Sequence, residues 1–174
     1  MKQLLLVQTL LLFSSYAFSQ ATPNDKYLKV LQLVIDDVRN NFTHIKLKSV
    51  SPGVYESNQH MPGAQRCVVN NRDNQQLAEW VCSFKQYGDR QQAALEFEEL
   101  SNSLSNAIIN VAGEQPYILN GTPINCEKSE QLKCSFFQLL PHKGSVAATA
   151  VILSIVKSAG KYRVELVVRN RPSA

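Results

Sequence analysis

Four cysteines, Cys67, Cys82, Cys126 and Cys134, sit behind an N-terminal stretch with the make-up of an export signal. That combination limits the fold more than any other feature of the 174 residues. Lys2 supplies a short positive start, Leu4 to Phe13 an apolar run, and Ala17-Phe18-Ser19 a small-residue cleavage site. The expectation is a signal peptide over residues 1–19, cut before Gln20. The apolar run is too short for a membrane anchor, which needs about 20 residues. The later apolar stretch, Val146 to Val156, is also too short and is expected to be a strand. No membrane span is therefore expected after cleavage. Residues 20–174 are read as a single exported domain, periplasmic or secreted.

Export into an oxidising compartment makes disulfides the default state of an even set of cysteines. Four cysteines allow three connectivities. The expected pairs are Cys67–Cys82 and Cys126–Cys134, because each brackets a polar, turn-like stretch: Asn70 to Asn74 in one and Glu127 to Glu130 in the other. Each bond would staple a hairpin. No Cys-x-x-Cys occurs, which removes the usual spacing of a zinc site or a thioredoxin-like pair. No metal and no cofactor is expected.

Hydrophobic spacing divides the rest into helices and strands. Asp25 to Ile45 places Leu28, Leu31, Val34, Ile35, Val38, Phe42 and Ile45 at three- and four-residue steps, which predicts a helix with a packing stripe. A second helix is predicted from Asp89 to Ala112, with Asp89 as N-cap, Gln92 completing a capping box and Gly113 as the stop. Strands are predicted at Lys48–Ser57, where Pro52-Gly53 intervenes, and at Ala64–Asn70, Leu77–Tyr87, Tyr117–Cys126, Lys133–Leu140, Val146–Val156 and Tyr162–Asn170. Ala78, Trp80, Cys82 and Phe84 share one face of their strand. In the last strand Tyr162, Val164, Leu166 and Val168 point in, and Arg163, Glu165 and Arg169 point out. Val146 to Val156 is apolar on both sides, as a covered central strand would be.

The expected class is α+β, with two amphipathic helices packed on one face of an antiparallel sheet in the order α-β-β-β-α-β-β-β-β. Trp80-Val81-Cys82-Ser83-Phe84 echoes Leu132-Lys133-Cys134-Ser135-Phe136, which suggests a duplicated α-β-β-β unit.

The functional signals are sparse. No phosphate-binding glycine loop, nucleophile elbow or His-Glu-x-x-His helix is present. Glu96, Glu98 and Glu99 read as a solvated helix face near a positive dipole end. A net charge of +4 spread over scattered Lys and Arg gives no nucleic-acid stripe. A cluster near the C-terminus, Lys157, Lys161, Arg163, Arg169 and Arg171, is a candidate contact for an anionic partner. The Asn58–Gly63 loop, with His60 and Met61, is a candidate binding loop. The binding residues expected from sequence are thus His60, Met61, Arg163 and Arg169.

These features point to an exported, disulfide-stapled binding module without inferred catalysis. Its ligand would be an envelope component, a partner protein or a small apolar molecule. One alternative is an enzyme using His60 or His142 as a base. Another is a chaperone or inhibitor of a second exported protein.

Overall fold

A computed structural model describes residues 25–71 and 78–170. The signal peptide read at 1–19, much of the turn after Asn71, and Arg171 lie outside the described residues. Two helices and nine strands follow one another: α1 (Asp25–Asp37), β1 (Lys46–Ser51), β2 (Val54–Ser57), β3 (Arg66–Asn71), β4 (Ala78–Tyr87), α2 (Arg90–Leu104), β5 (Ala107–Ile109), β6 (Tyr117–Ile124), β7 (Gln131–Leu140), β8 (Thr149–Ser158) and β9 (Lys161–Asn170). The class is α+β, with one mostly antiparallel sheet as its body.

The sheet order is β1-β2-β3-β4-β9-β8-β7-β6-β5. Two meanders, β1–β4 and β5–β9, therefore run inward from opposite edges and meet at the antiparallel β4–β9 seam. The predicted strand count was too low in two places. Pro52-Gly53 is the turn of a hairpin and not an interruption, with Gly53 at φ 72°. Ala107–Ile109 leaves the second helix and forms an edge strand. The halves contain four and five strands.

Both helices end earlier than their apolar spacing predicts, for local reasons. After α1, the buried Asp37 carboxylate accepts the backbone N–H groups of His44 and Ile45 and the Asn40 side chain. These bonds reverse the chain through two short 3-10 turns. Asn41 and Phe42 adopt left-handed backbone at the reversal. Phe42 and Ile45 still reach the core, which is why their spacing imitated a helix. At the start of α2, Asp89 Oδ1 accepts the Gln91 N–H at 3.0 Å. At its end the chain turns at Asn106 (φ 61°), and Ala107 and Ile109 then bury on alternate positions.

Register separates the two sheet faces. The inner face carries a continuous row, Tyr55–Val69–Trp80–Val168–Val151–Phe137, across six paired strands. Most of this row joins Leu31, Val34 and Ile35 of α1 and Phe97, Leu100 and Leu104 of α2 in one apolar core. Trp80 is fully buried, and its Nε1–H donates to the equally buried Ser57 hydroxyl at 3.0 Å. The row ends at Gly121, opposite Phe137. A side chain there would meet the Phe137 ring at 2.4 Å, so the ring needs a glycine beneath it. β8, flanked by β7 and β9, is buried from Thr149 to Val156.

Both expected cysteine pairs are present. Cys67 and Cys82 are directly opposite on β3 and β4, with Cα atoms 4.1 Å apart, and both are buried in the core. Cys126 and Cys134 close the β6–β7 connection, with Cα atoms 5.5 Å apart. Two disulfides fit an oxidising, exported environment. No helix among the described residues is long and apolar enough to cross a membrane. The echoed segments are not equivalent in space: the paired register puts Cys82 on the inner face and Cys134 on the outer face.

Candidate functional site

The outer face of the sheet carries the candidate site. Strand alternation puts a second apolar row there, Val68–Val81–Val167–Ile152–Phe136. A polar row, Asn70–Glu79–Arg169–Ala150–Gln138, flanks it on one side. On the other side runs Ser83–Glu165–Ser154–Cys134. An antiparallel sheet with such a face would ordinarily leave it to water.

Here the β6–β7 connection, residues 125–130, folds back over it. Glu127 reaches Arg169 on β9, beyond the intervening β8, with Arg169 Nη2 at 3.1 Å from its Oε1. The Lys157 N–H donates to the Glu130 carbonyl at 2.8 Å. The Gln131 side-chain amide donates to the Ser154 hydroxyl at 3.3 Å. Cys134, nearly buried on β7, ties the connection to the face it covers.

Between this strap and the sheet runs a groove of about 370 Å³. Val81, Val156 and Val167 form its floor, and Asn70, Glu79, Arg163 and Glu165 its rim. Lys128, Glu130 and Gln131 overhang it. A smaller space of about 40 Å³ continues beneath the strap towards Ile124, Cys134 and Ile152. The larger space lies within the range of small-ligand sites, which run to several hundred Å³.

The charges of the groove are nearly balanced. Glu79, Glu127, Glu130 and Glu165 face Lys128, Arg163 and Arg169. Both arginines are held in ion pairs. Arg163 binds Glu165 through Nη2 at 2.6 Å and Nε at 2.8 Å. Arg169 binds Glu79 at 3.1 Å on one side and Glu127 at 3.1 Å on the other. These pairs are partly shielded, with the Glu79 side chain only 10% exposed. They orient polar groups around the floor without creating a positive field that would draw in a polyanion.

No family model matches the chain, and no curated protein and no solved structure matches it. The groove is therefore read from its own residues.

The four candidate binding residues fall in two places. Arg163 lines the groove, and Arg169 lines the smaller space that continues beneath the strap. His60 is exposed in the loop before β3 and does not line it. Met61 is 1% exposed, in the core, with its N–H directed at Cys67 Sγ at 3.5 Å. A Met so placed packs in the core. Neither His60 nor His142 forms an ion pair with a carboxylate among the described residues. His44 does, with Nδ1 at 2.6 Å from Asp37 Oδ1. No group of three or more metal-ligating side chains occurs among the described residues.

Sequence reasoning missed Glu79, Glu127, Lys128 and Gln131. One signal was available. Glu79 is outward-facing on an otherwise core-forming strand, and such an acid needs a partner when it is covered.

A second polar cluster lies on the helix side. Burial raises the Glu96 carboxyl above the usual carboxylate range, and Glu99, one turn along α2, adds to the rise. The Tyr87 hydroxyl and Lys85 pull it partway back. Glu96 Oε2 is buried without a hydrogen-bond partner. The Tyr27 hydroxyl approaches Glu99 Oε1 at 3.5 Å. Near β6, Glu114 holds the loop before β8 through Ser145 and the Tyr117 hydroxyl. Burial and the Glu114 carboxylate push the Tyr117 hydroxyl up to about 12. Both arrangements tie elements together, and their residues line neither of the two spaces under the strap.

Proposed function

We propose that this chain is an exported binding module, periplasmic or secreted, whose ligand lies in the groove between the sheet's outer face and the 125–130 strap. In this reading both helices cover the inner face, and the outer face is the working surface. The observation that carries it is the groove's build: a floor of three valines, a rim of oriented ion pairs, and a stapled roof. A floor without titratable groups suits the apolar part of a ligand, and the paired rim suits neutral polar groups. The expected occupant is a small, nearly uncharged molecule with one apolar edge. The placement of His60 and His142 outside the groove favours binding over a histidine-based enzyme.

Native mass spectrometry of protein recovered unreduced from its exporting cell tests this reading. Val167→Trp, which fills the floor, is the control. A stable added mass on the wild-type chain that is lost from Val167→Trp supports the groove. A bare chain in both, or an adduct indifferent to the substitution, overturns it. An added mass of protein size that survives in Val167→Trp would instead favour the chaperone or inhibitor reading.

A further inference from the structure

We propose that the Cys126–Cys134 disulfide is a reducible latch on the strap, and that its reduction by an exported dithiol opens the groove. The inference concerns regulation of the proposed site and rests on that reading for its purpose, though not for its mechanics.

The two disulfides occupy opposed environments. Cys67 and Cys82 are 1% and 0% exposed and pack in the main core. An attacking thiolate has no route to them while the sheet is intact, because exchange requires direct access to a sulfur. Cys134 is covered, but Cys126 is part-exposed at the start of the strap. Cys126 is the cysteine of this pair that meets solvent, and so the one a thiolate can approach.

Little else holds the strap in place. Glu127, its side chain 60% exposed, pairs with Arg169, and an exposed ion pair of this kind contributes little. The Lys157 N–H to Glu130 carbonyl bond and the Gln131 to Ser154 bond are further hydrogen bonds at this junction among the described residues. The Lys128 contacts with Gln131 tie the strap only to the first residue of its own strand β7. Without the covalent bond, residues 125–130 become an ordinary connection whose closed position is one of many. The floor residues Val81, Val156 and Val167 lose their roof.

The chemistry balances as thiol–disulfide exchange. A thiolate of the dithiol attacks Cys126 Sγ, a mixed disulfide forms, and Cys134 leaves as a thiolate and takes up a proton. The second thiol of the reductant then attacks the mixed disulfide and frees Cys126. Two electrons and two protons pass to the chain, and the dithiol becomes a disulfide.

The test is hydrogen exchange on the mature chain, followed by mass spectrometry, with graded dithiothreitol as reductant. Alkylation records which cysteines have opened. The expected result is a window in which Cys126 and Cys134 alkylate while Cys67 and Cys82 do not. Within it, the amides of Lys128, Gln131 and Lys157 should exchange faster, by up to roughly sixtyfold, the loop-closure term for this ring written as a ratio. The amides of β3 and β4 should not change. Cys126→Ser/Cys134→Ser should show the same faster exchange without reductant. Simultaneous opening of both bonds, resistance of both, or selective opening with unchanged exchange each overturns the latch. None of these readouts uses a ligand, so failure of the latch leaves the groove standing. Failure of the adduct experiment likewise leaves the latch standing.

Discussion

Removing the two disulfides one at a time should produce unequal losses of stability. The Cys67–Cys82 bond spans a sequence separation of 15 and the Cys126–Cys134 bond a separation of 8. Loop-closure entropy then gives about 3 kcal/mol for the first and about 2.5 kcal/mol for the second. On entropy alone they are hardly distinguishable. Burial separates them. Cys67→Ala/Cys82→Ala also deletes two sulfurs from the centre of the core, where the space lost costs roughly 1 kcal/mol or more. Cys126→Ala/Cys134→Ala deletes the sulfur of one covered residue and that of one part-exposed residue. The expected totals are about 4 kcal/mol and about 2.5 kcal/mol. In a domain of this size 1 kcal/mol moves Tm by roughly 3 °C, so the shifts should be about 12 °C and about 8 °C. Differential scanning calorimetry of the two double variants reads both. Equal shifts, or a larger loss for the Cys126 and Cys134 variant, would refute the assignment of the first bond to the core and the second to the surface strap.

Three further outcomes follow from single contacts. Ser57→Ala leaves the Trp80 indole N–H buried without an acceptor, and should cost about 1–3 kcal/mol in urea unfolding followed by the fluorescence of this sole tryptophan; an unchanged midpoint would mean the bond carries no weight. Gly121→Ala drives a methyl group into the Phe137 ring and should cost about 1–3 kcal/mol, with the loss relieved when Phe137→Leu is added. Glu96→Gln should stabilise at neutral pH. A carboxyl whose folded pKa is raised binds its proton more tightly folded than unfolded, so its penalty is absent below the unfolded pKa, grows as pH rises through the folded pKa, and stays constant above it. The gain from Glu96→Gln should therefore be full at pH 7 and vanish near pH 3. A gain of equal size at both pH values would rule out titration of Glu96 as the cause.

What could be read from the chain followed interaction range. Cys67 and Cys82 lie either side of a polar stretch, so their pairing was readable from local sequence. The same holds for the β8–β9 hairpin, where Ala159 and Gly160 take the left-handed conformations a two-residue turn needs. The helix ends were misread because Phe42, Ile45, Ala107 and Val111 keep a helix-like spacing while reaching the core from turns, a strand and a loop. The candidate site was half legible. Outward Arg163 and Arg169 are visible in the alternation of β9. The acids that neutralise Arg169, Glu79 and Glu127, lie 90 and 42 residues away, and no local pattern reports such a meeting. Two members of the basic cluster in the sequence, Arg163 and Arg169, are thus held in ion pairs in the fold. Met61 looked like a loop residue by its neighbours and became a core residue because the loop tucks beneath Cys67.

The meeting of the two meanders at β4 and β9 sets an order on assembly. A chain made N-terminus first delivers β9 after every other strand of the described residues, yet β9 belongs in the middle of the sheet. Until it arrives, β4 and β8 each present an unpaired edge, the kind of surface that recruits other chains into aggregates. The first meander can form early from neighbouring contacts, but the seam must wait for partners some 80–90 residues apart, such as Ser83 with Glu165 and Glu79 with Arg169. The molecule is therefore closed from its centre by its last strand, and damage to that strand would split the sheet in two where damage to β1 or β5 would only shorten it.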